Sequence, residues 1–162
     1  MSLNIRSAQD ADVKCIAKIY NQYVGKNTLD LEQRDSDHFL AELKGLREKE
    51  CMLVIEQVGV VAGFGILKKY SWKAGYRYTG ETSAFLDEKY RGAGLGRQLK
   101  TALIERARTL GYKHLVARIM ANNTASIQYN LNLGYEVVGI QKRIGFTGSE
   151  WVDVVILQLL LD

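Results

Sequence analysis

The chain has 162 residues, which is enough for one folded domain with a substantial core and short for two. Its 47% hydrophobic and 25% charged residues are ordinary for a soluble globular protein, and its longest apolar run, residues 154–161, is far below the roughly 20 residues that span a bilayer. The net charge of +4 is mild and spread along the chain, which suits an anionic ligand without requiring nucleic acid, and the first residues lack the pattern of an export signal. We therefore expect a single cytoplasmic domain over residues 1–162, with neither a membrane nor a nucleic acid as partner.

Cysteine and histidine give no sign of a metal centre. Cys15 and Cys51 lie in apolar patterns without metal-binding or redox spacing, so we expect both thiols to be buried. His38 and His114 are isolated from each other and from other ligand-type residues. The sequence therefore predicts no metal site.

The first half of the chain mixes helix and strand patterns. A polar stretch over residues 25–35 predicts a surface loop, and Ser36 or Asp37 is expected to cap the helix that follows it. Gln57-Val58-Gly59 joins two β-rich runs and predicts a hairpin. The predicted elements are a strand over residues 3–6, a helix to about Val24, a second helix from residue 36, and strands over residues 52–56 and 60–67.

The second half contains the strongest helix pattern of the chain, which runs from the glycine-rich stretch 91–97 to Gly111. Its expected buried face consists of Leu95, Leu99, Ala102, Leu103 and Leu110. The charged residues expected mostly off that face are Arg97, Lys100, Glu105 and Arg108. The other predicted elements are strands over residues 78–86, 115–120, 135–142 and 151–160, a helix over residues 122–133, and an irregular segment over residues 145–150.

The glycine-rich stretch reads Arg91-Gly92-Ala93-Gly94-Leu95-Gly96-Arg97 and stands between a predicted strand and a helix. Glycine at alternate positions permits a sharp turn, and the first N–H groups of a helix favour an anion. A P-loop would need Gly-Lys-Ser/Thr, and a Rossmann fingerprint would need glycine at Arg97, so neither motif is present. The stretch predicts a phosphorylated ligand, with a plain strand-to-helix connection as the alternative.

The pattern Arg91-x-x-Gly94-x-Gly96 resembles the pyrophosphate-binding motif of the GNAT superfamily of N-acetyltransferases. Nearly the whole chain is similar to the phosphinothricin/methionine sulfoximine acetyltransferase branch of that superfamily. The matching segments are residues 17–21, 78–83, 91–96, 103–108, 123–127, 133–135, 145–146 and 151–153. The order and spacing of these segments together are more specific than any one of them.

This resemblance implies the fold and the co-substrate. The implied fold is α/β (α+β), with a central mixed, mostly antiparallel twisted sheet flanked by helices. The co-substrate would be acetyl-CoA, bound at a splayed strand and the start of the following helix, and no metal would be needed. The branch also implies a homodimer, to which the apolar last strand could contribute.

The resemblance further implies a role for individual residues. Glu81, in the strand before the glycine turn, takes the position of the catalytic base, although from the sequence alone its carboxylate also fits a solvated sheet face. A base is required because an ammonium must lose its proton before its nitrogen can attack a thioester. Gly75 and Tyr76 match the lip of the acceptor pocket, where Tyr76 could instead serve in packing. The implied cofactor-binding residues are Ala84, Phe85, Leu86, Arg91, Gly92, Ala93, Gly94, Leu95, Gly96, Arg97, Asn123, Ser126 and Asn132.

Three positions depart from the pattern of the branch. Asn130 stands where tyrosine or histidine is usual and cannot act as a general acid, and we expect its neighbour Tyr129 to point elsewhere on the helix. The leaving thiolate would then be protonated by solvent. Asn132 replaces a common basic residue, which weakens a phosphate contact, and Thr147 replaces a common lysine, so the acceptor preference is expected to differ.

The sequence therefore predicts an enzyme that transfers acetyl from acetyl-CoA to the primary amine of a small amino-acid-like acceptor, with Glu81 as general base. Two alternatives remain open. One is a transferase that acts on protein amino termini or lysines. The other is a CoA-binding sensor without catalysis, which Asn130 and Asn132 suggest.

Overall fold

The computed structural model describes residues 2–162, which form a seven-stranded sheet with helices packed on both faces. The strands are β1 Leu3–Ser7, β2 Cys51–Gln57, β3 Val60–Lys69, β4 Thr79–Leu86, β5 His114–Met120, β6 Glu136–Phe146 and β7 Trp151–Leu160. The helices are α1 Val13–Asn21, α2 Ser36–Lys44, α3 Leu95–Thr109 and α4 Thr124–Asn132. None of the helices within residues 2–162 is both long and apolar enough to cross a membrane.

The sheet has the strand order β1-β2-β3-β4-β5-β7-β6. Neighbouring strands are antiparallel except β4 and β5, which are parallel. The parallel ladder is short, joining residues 79–81 to residues 114–116, after which the two strands are no longer paired with each other. The mixed, mostly antiparallel sheet with flanking helices that the resemblance implied is confirmed, and its only parallel pair opens at its carboxyl end.

Two apolar clusters cover the two faces of the sheet. Because side chains alternate along a strand, Leu53 and Ile55 of β2 join one cluster with α3, whereas Met52 and Val54 join the other with α1 and α2. The helix α3 thus fixes the glycine turn against one face. The helices α1 and α2 and the loop between them cover the opposite face.

Gly63 of β3 allows the closest packing between β3 and β4. A Cβ atom at this position would lie 2.8 Å from the backbone oxygen of Phe85 and 2.7 Å from Leu86 Cδ1. We expect Gly63→Ala to lower the free energy of unfolding by roughly 1–3 kcal/mol, because the backbone of β4 must shift to make room. Urea unfolding tests this, with Gly139→Ala as control, since nothing lies within 4 Å of a Cβ atom there. Equal unfolding midpoints for the two variants would contradict the expectation.

Several element boundaries differ from those predicted. The helix α1 ends at Asn21 rather than near Val24. The cap of α2 is Asp35, not Ser36 or Asp37, because the Asp35 carboxylate accepts a hydrogen bond from the His38 N–H at 2.9 Å. The strand β6 continues to Phe146, so the irregular segment starts at residue 147 rather than 145.

The two cysteines differ in environment. Cys51 is buried as predicted, and burial raises the pKa of its thiol. The prediction for Cys15 was wrong, because this residue lies on the exposed side of α1 while Ile16 and Ala17 take the buried side.

Candidate active site

Two adjoining cavities open where β4 and β5 separate. The cavity of about 440 Å³ that borders the glycine-rich turn is here called the turn cavity. The cavity of about 420 Å³ that borders Glu81 and the end of the parallel ladder is called the splay cavity. They share a wall formed by Tyr23, Asn27, Ala84, Phe85, Asn123, Ser126 and Tyr129. A ligand bound at the glycine turn can therefore extend directly to Glu81.

The turn cavity is bordered by the amino terminus of α3. Gly92 and Gly94 have φ values of 87° and 79°, in the left-handed region that favours glycine, and Gly94 is the residue that caps the helix. The N–H of Gln98 donates to the oxygen of Gly94 at 3.2 Å, which is the first hydrogen bond of the helix. The N–H groups of residues 95–97 therefore have no partner within the helix. No atom outside the turn lies within 4 Å of a Cβ built at Gly92, Gly94 or Gly96. The turn thus presents free donors on an open surface, as a phosphate group requires.

Arg91 and Arg97 both line the turn cavity, and Arg91 is held in place by Tyr23. The Arg91 guanidinium lies over the Tyr23 ring at 5.0 Å from its centroid, and its Nε donates to the Tyr23 hydroxyl at 3.3 Å. That hydroxyl in turn donates to the carbonyl oxygen of Leu86. A positive charge is therefore positioned beside the free N–H groups of the turn.

The strand β4 supplies an open edge to both cavities. Residues 80–86 pair with β3, but the pairing with β5 stops at Glu81. Ala84 and Phe85 line both cavities and Leu86 lines the turn cavity. The side of β4 that faces the gap is thus free to bond an extended ligand, except at the Leu86 carbonyl, which Tyr23 already occupies.

On the other side of the gap lies the start of α4. Asn123 caps this helix, its Oδ1 accepting a hydrogen bond from the Ser126 N–H at 3.3 Å. Both residues line both cavities, and their contact with the cofactor stays a prediction. The loop after α1 closes the site with Asn27, Thr28 and Leu29.

Glu81 is paired with Arg118, a residue that the sequence analysis did not identify. The Arg118 Nε and Nη2 groups donate to the two oxygens of the Glu81 carboxylate at 2.6 and 2.9 Å. The Glu81 side chain keeps 26% of its surface exposed, and both residues line the splay cavity. The sequence did carry a signal, because Arg118 is a charged residue inside an apolar run. In the structure it is exposed, whereas its neighbours on both sides in β5 are buried.

Tyr129 and Asn130 both line the splay cavity, so the expectation that Tyr129 would point elsewhere was wrong. Burial raises the pKa of the Tyr129 phenol. Asn130 is 1% exposed, and its Nδ2 donates to the Ser126 carbonyl at 2.8 Å. Its Oδ1 is buried and has no hydrogen-bond partner within residues 2–162.

Lys100 was predicted to lie off the buried face of α3, and this prediction was wrong. The residue is 2% exposed and lines the splay cavity. The buried side of α3 is wider than the leucine pattern suggested and also includes Ile104 and Ala107. Burial lowers the pKa of the Lys100 amine to about 7, an effect that the negative charge of Glu81 opposes.

Four of the predicted site residues lie outside the lining of both cavities. Ala93 is exposed within the glycine turn, and Asn132 is exposed at the end of α4, where its Oδ1 accepts from Gln128 at 3.1 Å. Gly75 and Tyr76 belong to a short 3-10 turn, in which the Tyr76 ring packs 5.4 Å from that of Tyr70. Within residues 2–162 there is no group of three histidine, cysteine or acidic residues placed to hold a metal ion.

Comparison with known proteins identifies the family. The family model described as "Acetyltransferase (GNAT) domain" matches residues 5–156. The chain belongs to the GNAT acetyltransferases. It is 34% identical to the L-methionine sulfoximine/L-methionine sulfone acetyltransferase of Salmonella typhimurium, over 99% of this chain and 95% of that protein. The GNAT resemblance drawn from the sequence is thereby confirmed.

Solved structures of other GNAT proteins share the fold. The phosphinothricin acetyltransferase of Sinorhizobium meliloti, in complex with acetyl-CoA, superimposes with a TM-score of 0.89 at 26% identity, covering 99% of this chain and 89% of that one. The ribosomal-protein-alanine N-acetyltransferase of Brucella melitensis gives a TM-score of 0.93 at 31% identity, covering 98% and 99%. This GNAT protein is thus an acetyltransferase. The names of its relatives refer to amino-acid analogues in some cases and to ribosomal-protein alanine in another.

Proposed function

We propose that this GNAT protein transfers acetyl from acetyl-CoA to the primary amine of a small amino-acid-like acceptor of the methionine sulfoximine or phosphinothricin type. The observation that carries the proposal is the wall shared by the two cavities. This wall joins a phosphate-type site at the glycine turn to a carboxylate at the end of the parallel ladder. The names of the relatives supply the acceptor class.

The chain's own residues fit acetyl-CoA. The N–H groups of residues 92–97, with Arg91 and Arg97, would hold the pyrophosphate, and this role includes Ala93 through its backbone. The open edge of β4 at Ala84, Phe85 and Leu86 would bond the pantetheine arm, opposite Asn123 and Ser126. When bound, the co-substrate supplies an acetyl group activated as a thioester. Asn132 stays a prediction for this role and lies away from both cavities.

Glu81 would take the proton from the acceptor's ammonium, so that the free amine can attack. The ion pair with Arg118 fixes the orientation of the Glu81 carboxylate at the cavity surface. Holding the amine against the thioester would contribute up to roughly 7–11 kcal/mol, and a positioned base typically about a further 10²–10⁴-fold in rate. Gly75 and Tyr76 remain proposed for the lip of the acceptor pocket.

The leaving thiolate needs no acid from the protein in this proposal. Asn130 has no acidic proton, and the pKa of the Tyr129 phenol is raised above its ordinary value of 10.0. A thiol ionises near about 8.5, so the thiolate is a stable leaving group that can depart before it is protonated. Solvent is therefore proposed as the source of the proton.

The homodimer typical of the branch is proposed for this protein too. The strand β6 forms one edge of the sheet and exposes Val138, Ile140 and Ile144. Trp151 of β7 is 60% exposed beside them. Exposed apolar side chains at a sheet edge support pairing with a second copy.

An acceptor panel tests the proposed function. Free-thiol release from acetyl-CoA should give the highest kcat/KM with methionine sulfoximine, methionine sulfone or phosphinothricin. The second candidate is acetylation of a protein amino terminus, favoured by the similarity to the Brucella melitensis enzyme. A preference for peptides that begin with alanine would support that candidate against the proposal. Acetyl-CoA binding without turnover on any amine would instead favour a CoA-binding sensor.

A further inference from the structure

Lys100 lines the splay cavity near the point where β4 and β5 separate, which is here called the apex of the cavity, because its amine lies over the Tyr135 ring and the Tyr135 hydroxyl bonds to Thr82. The last paired residues of the parallel ladder are Glu81 and Val116, so Thr82 and Ala117 are the first residues beyond it. Thr82, Ala117 and Lys100 line the splay cavity and not the turn cavity. A ligand that extends from the turn cavity past the shared wall therefore enters a cavity that Lys100 lines.

The Lys100 amine has no counter-ion within residues 2–162. Its Nζ lies 5.1 Å from the centroid of the Tyr135 ring, and the Tyr135 hydroxyl is itself bonded to Thr82 Oγ1 at 2.9 Å. The negative charge of Glu81 opposes the lowering of the Lys100 pKa, but both oxygens of this carboxylate already accept hydrogen bonds from Arg118. A buried amine without an acidic partner is costly in its charged form, and a bound anion would remove that cost.

Asn130 provides a second, independent indication of a ligand in the same cavity. Its side chain is almost fully buried, it lines the splay cavity, and its Oδ1 has no hydrogen-bond partner within the described chain. A buried polar atom without a partner is rare in folded proteins, and a polar group of a ligand would satisfy it. Because an ionised carboxylate only accepts hydrogen bonds, Asn130 Oδ1 would accept from an N–H or O–H group elsewhere in the ligand, and Lys100 Nζ is the group that would bind its anion.

We propose that Lys100 makes the apex of the splay cavity an anion-binding subsite, which takes a carboxylate carried by one of the two substrates. The proposal rests on the proposed function, because it assumes that acetyl-CoA and the acceptor meet in this cavity. The carboxylate has two possible sources. One is the end of a dicarboxylic acyl chain, as in succinyl-CoA, and the other is the α-carboxylate of the amino-acid acceptor.

Binding of a carboxylate at this subsite depends on pH. The ionisable groups around Lys100 are Glu81 of β4, Arg118 of β5, Tyr129 of α4 and Tyr135 before β6. In the free protein the Lys100 pKa is about 7, and the anion binds the protonated amine. The affinity for the anion should therefore be greatest below pH 7 and fall as the pH rises above it.

The test compares Lys100→Met and Lys100→Arg with the wild type, and Lys14→Met serves as control because Lys14 is exposed on α1. One arm measures by calorimetry the Kd of succinyl-CoA against that of acetyl-CoA. The other measures KM and kcat for methionine sulfone against its decarboxylated amine, with acetyl-CoA as donor. Lys100→Met should raise the Kd or KM of the carboxylated ligand about tenfold or more in one arm. Lys100→Arg should restore part of that loss, and the Kd of acetyl-CoA should not change.

The two arms distinguish the source of the carboxylate. An effect confined to succinyl-CoA assigns the subsite to the acyl donor, and a rise in KM for methionine sulfone alone assigns it to the acceptor. If Lys100→Met changes neither arm, the subsite does not exist, whatever the enzyme's activity. Failure of the wild type to bind acetyl-CoA would instead contradict the proposed function, and this result is read from the wild type alone, without the Lys100 variants.

Discussion

Replacement of Glu81 by glutamine is expected to lower kcat for acetyl transfer by about 10²–10⁴-fold, while the Kd of acetyl-CoA stays the same. Glutamine has nearly the same shape but accepts no proton at neutral pH, so the acceptor amine would remain protonated. The cofactor contacts proposed at the glycine turn, β4 and α4 do not involve the Glu81 side chain. Steady-state thiol release and calorimetric titration of acetyl-CoA measure the two quantities separately.

The same substitution also breaks the ion pair with Arg118, and this structural effect needs a control. Glu56→Gln breaks a comparable pair, in which Arg6 Nη2 lies 2.6 Å from Glu56 Oε1 and neither residue lines either cavity. This control should keep wild-type turnover. Full turnover in Glu81→Gln across the pH range would show that Glu81 is not the base.

Replacement of Lys100 by methionine is expected to stabilise the free protein by up to several kcal/mol near neutral pH. The pKa of Lys100 is about 7 in the folded chain, against 10.5 for the unperturbed amine. Each unit of pKa difference corresponds to about 1.36 kcal/mol. Methionine has a similar length and no charge, so it removes the cost of burying the amine and keeps most of the packing against Tyr135.

The sign of the pH dependence follows from proton binding in the two states. Below pH 7 both folded and unfolded Lys100 are protonated, and the wild type carries the full cost of the buried charge. Between about pH 7 and 10.5 the unfolded chain binds more protons, so wild-type stability rises with pH. The advantage of Lys100→Met should thus be largest at about pH 6 and shrink by about pH 9.5.

Urea unfolding of both proteins at these two pH values checks the expectation, with Lys14→Met as an exposed control. A stability advantage that does not depend on pH would show that the amine titrates normally in the folded protein. A loss of stability in Lys100→Met would show that the lysine makes favourable contacts that methionine cannot replace.

Much of the fold and of the site was predictable because the signals were local. The glycine turn, the helix after it and the helix that starts near Asn123 each depend on a few adjacent residues whose backbone conformations are characteristic. The position of Glu81 followed from a resemblance that covers nearly the whole chain. These features required no knowledge of how distant elements pack.

The residues that were missed depend on the tertiary arrangement. At about 100° per residue, Lys100 falls on the α3 helix between Leu103 and Ile104, inside the buried arc. The sequence analysis placed it on the solvent side because of its charge. The cavity that it lines exists only where β4 and β5 separate, and the sequence of α3 gives no sign of that separation. The Glu81–Arg118 pair joins residues on neighbouring strands, so it required the strand order and register.

Tyr129 illustrates a different limit. Helical spacing places Asn123, Ser126 and Asn130 on one face of α4, which would turn Tyr129 aside. The wall of the splay cavity is nevertheless wide enough to include both Tyr129 and Asn130, although these residues are adjacent in the sequence. The width of a cavity is set by the separation of β4, β5 and α4, which the sequence of α4 alone does not determine.

The central claim is tested most directly by incubating the protein with acetyl-CoA and methionine sulfoximine and analysing the acceptor by mass spectrometry and NMR. The account predicts an acceptor that carries one acetyl group on its primary amine, formed in step with free CoA and almost absent with Glu81→Gln. Acetyl-CoA that binds at the glycine turn while the acceptor remains unmodified, for this and the related amino-acid analogues, would contradict it.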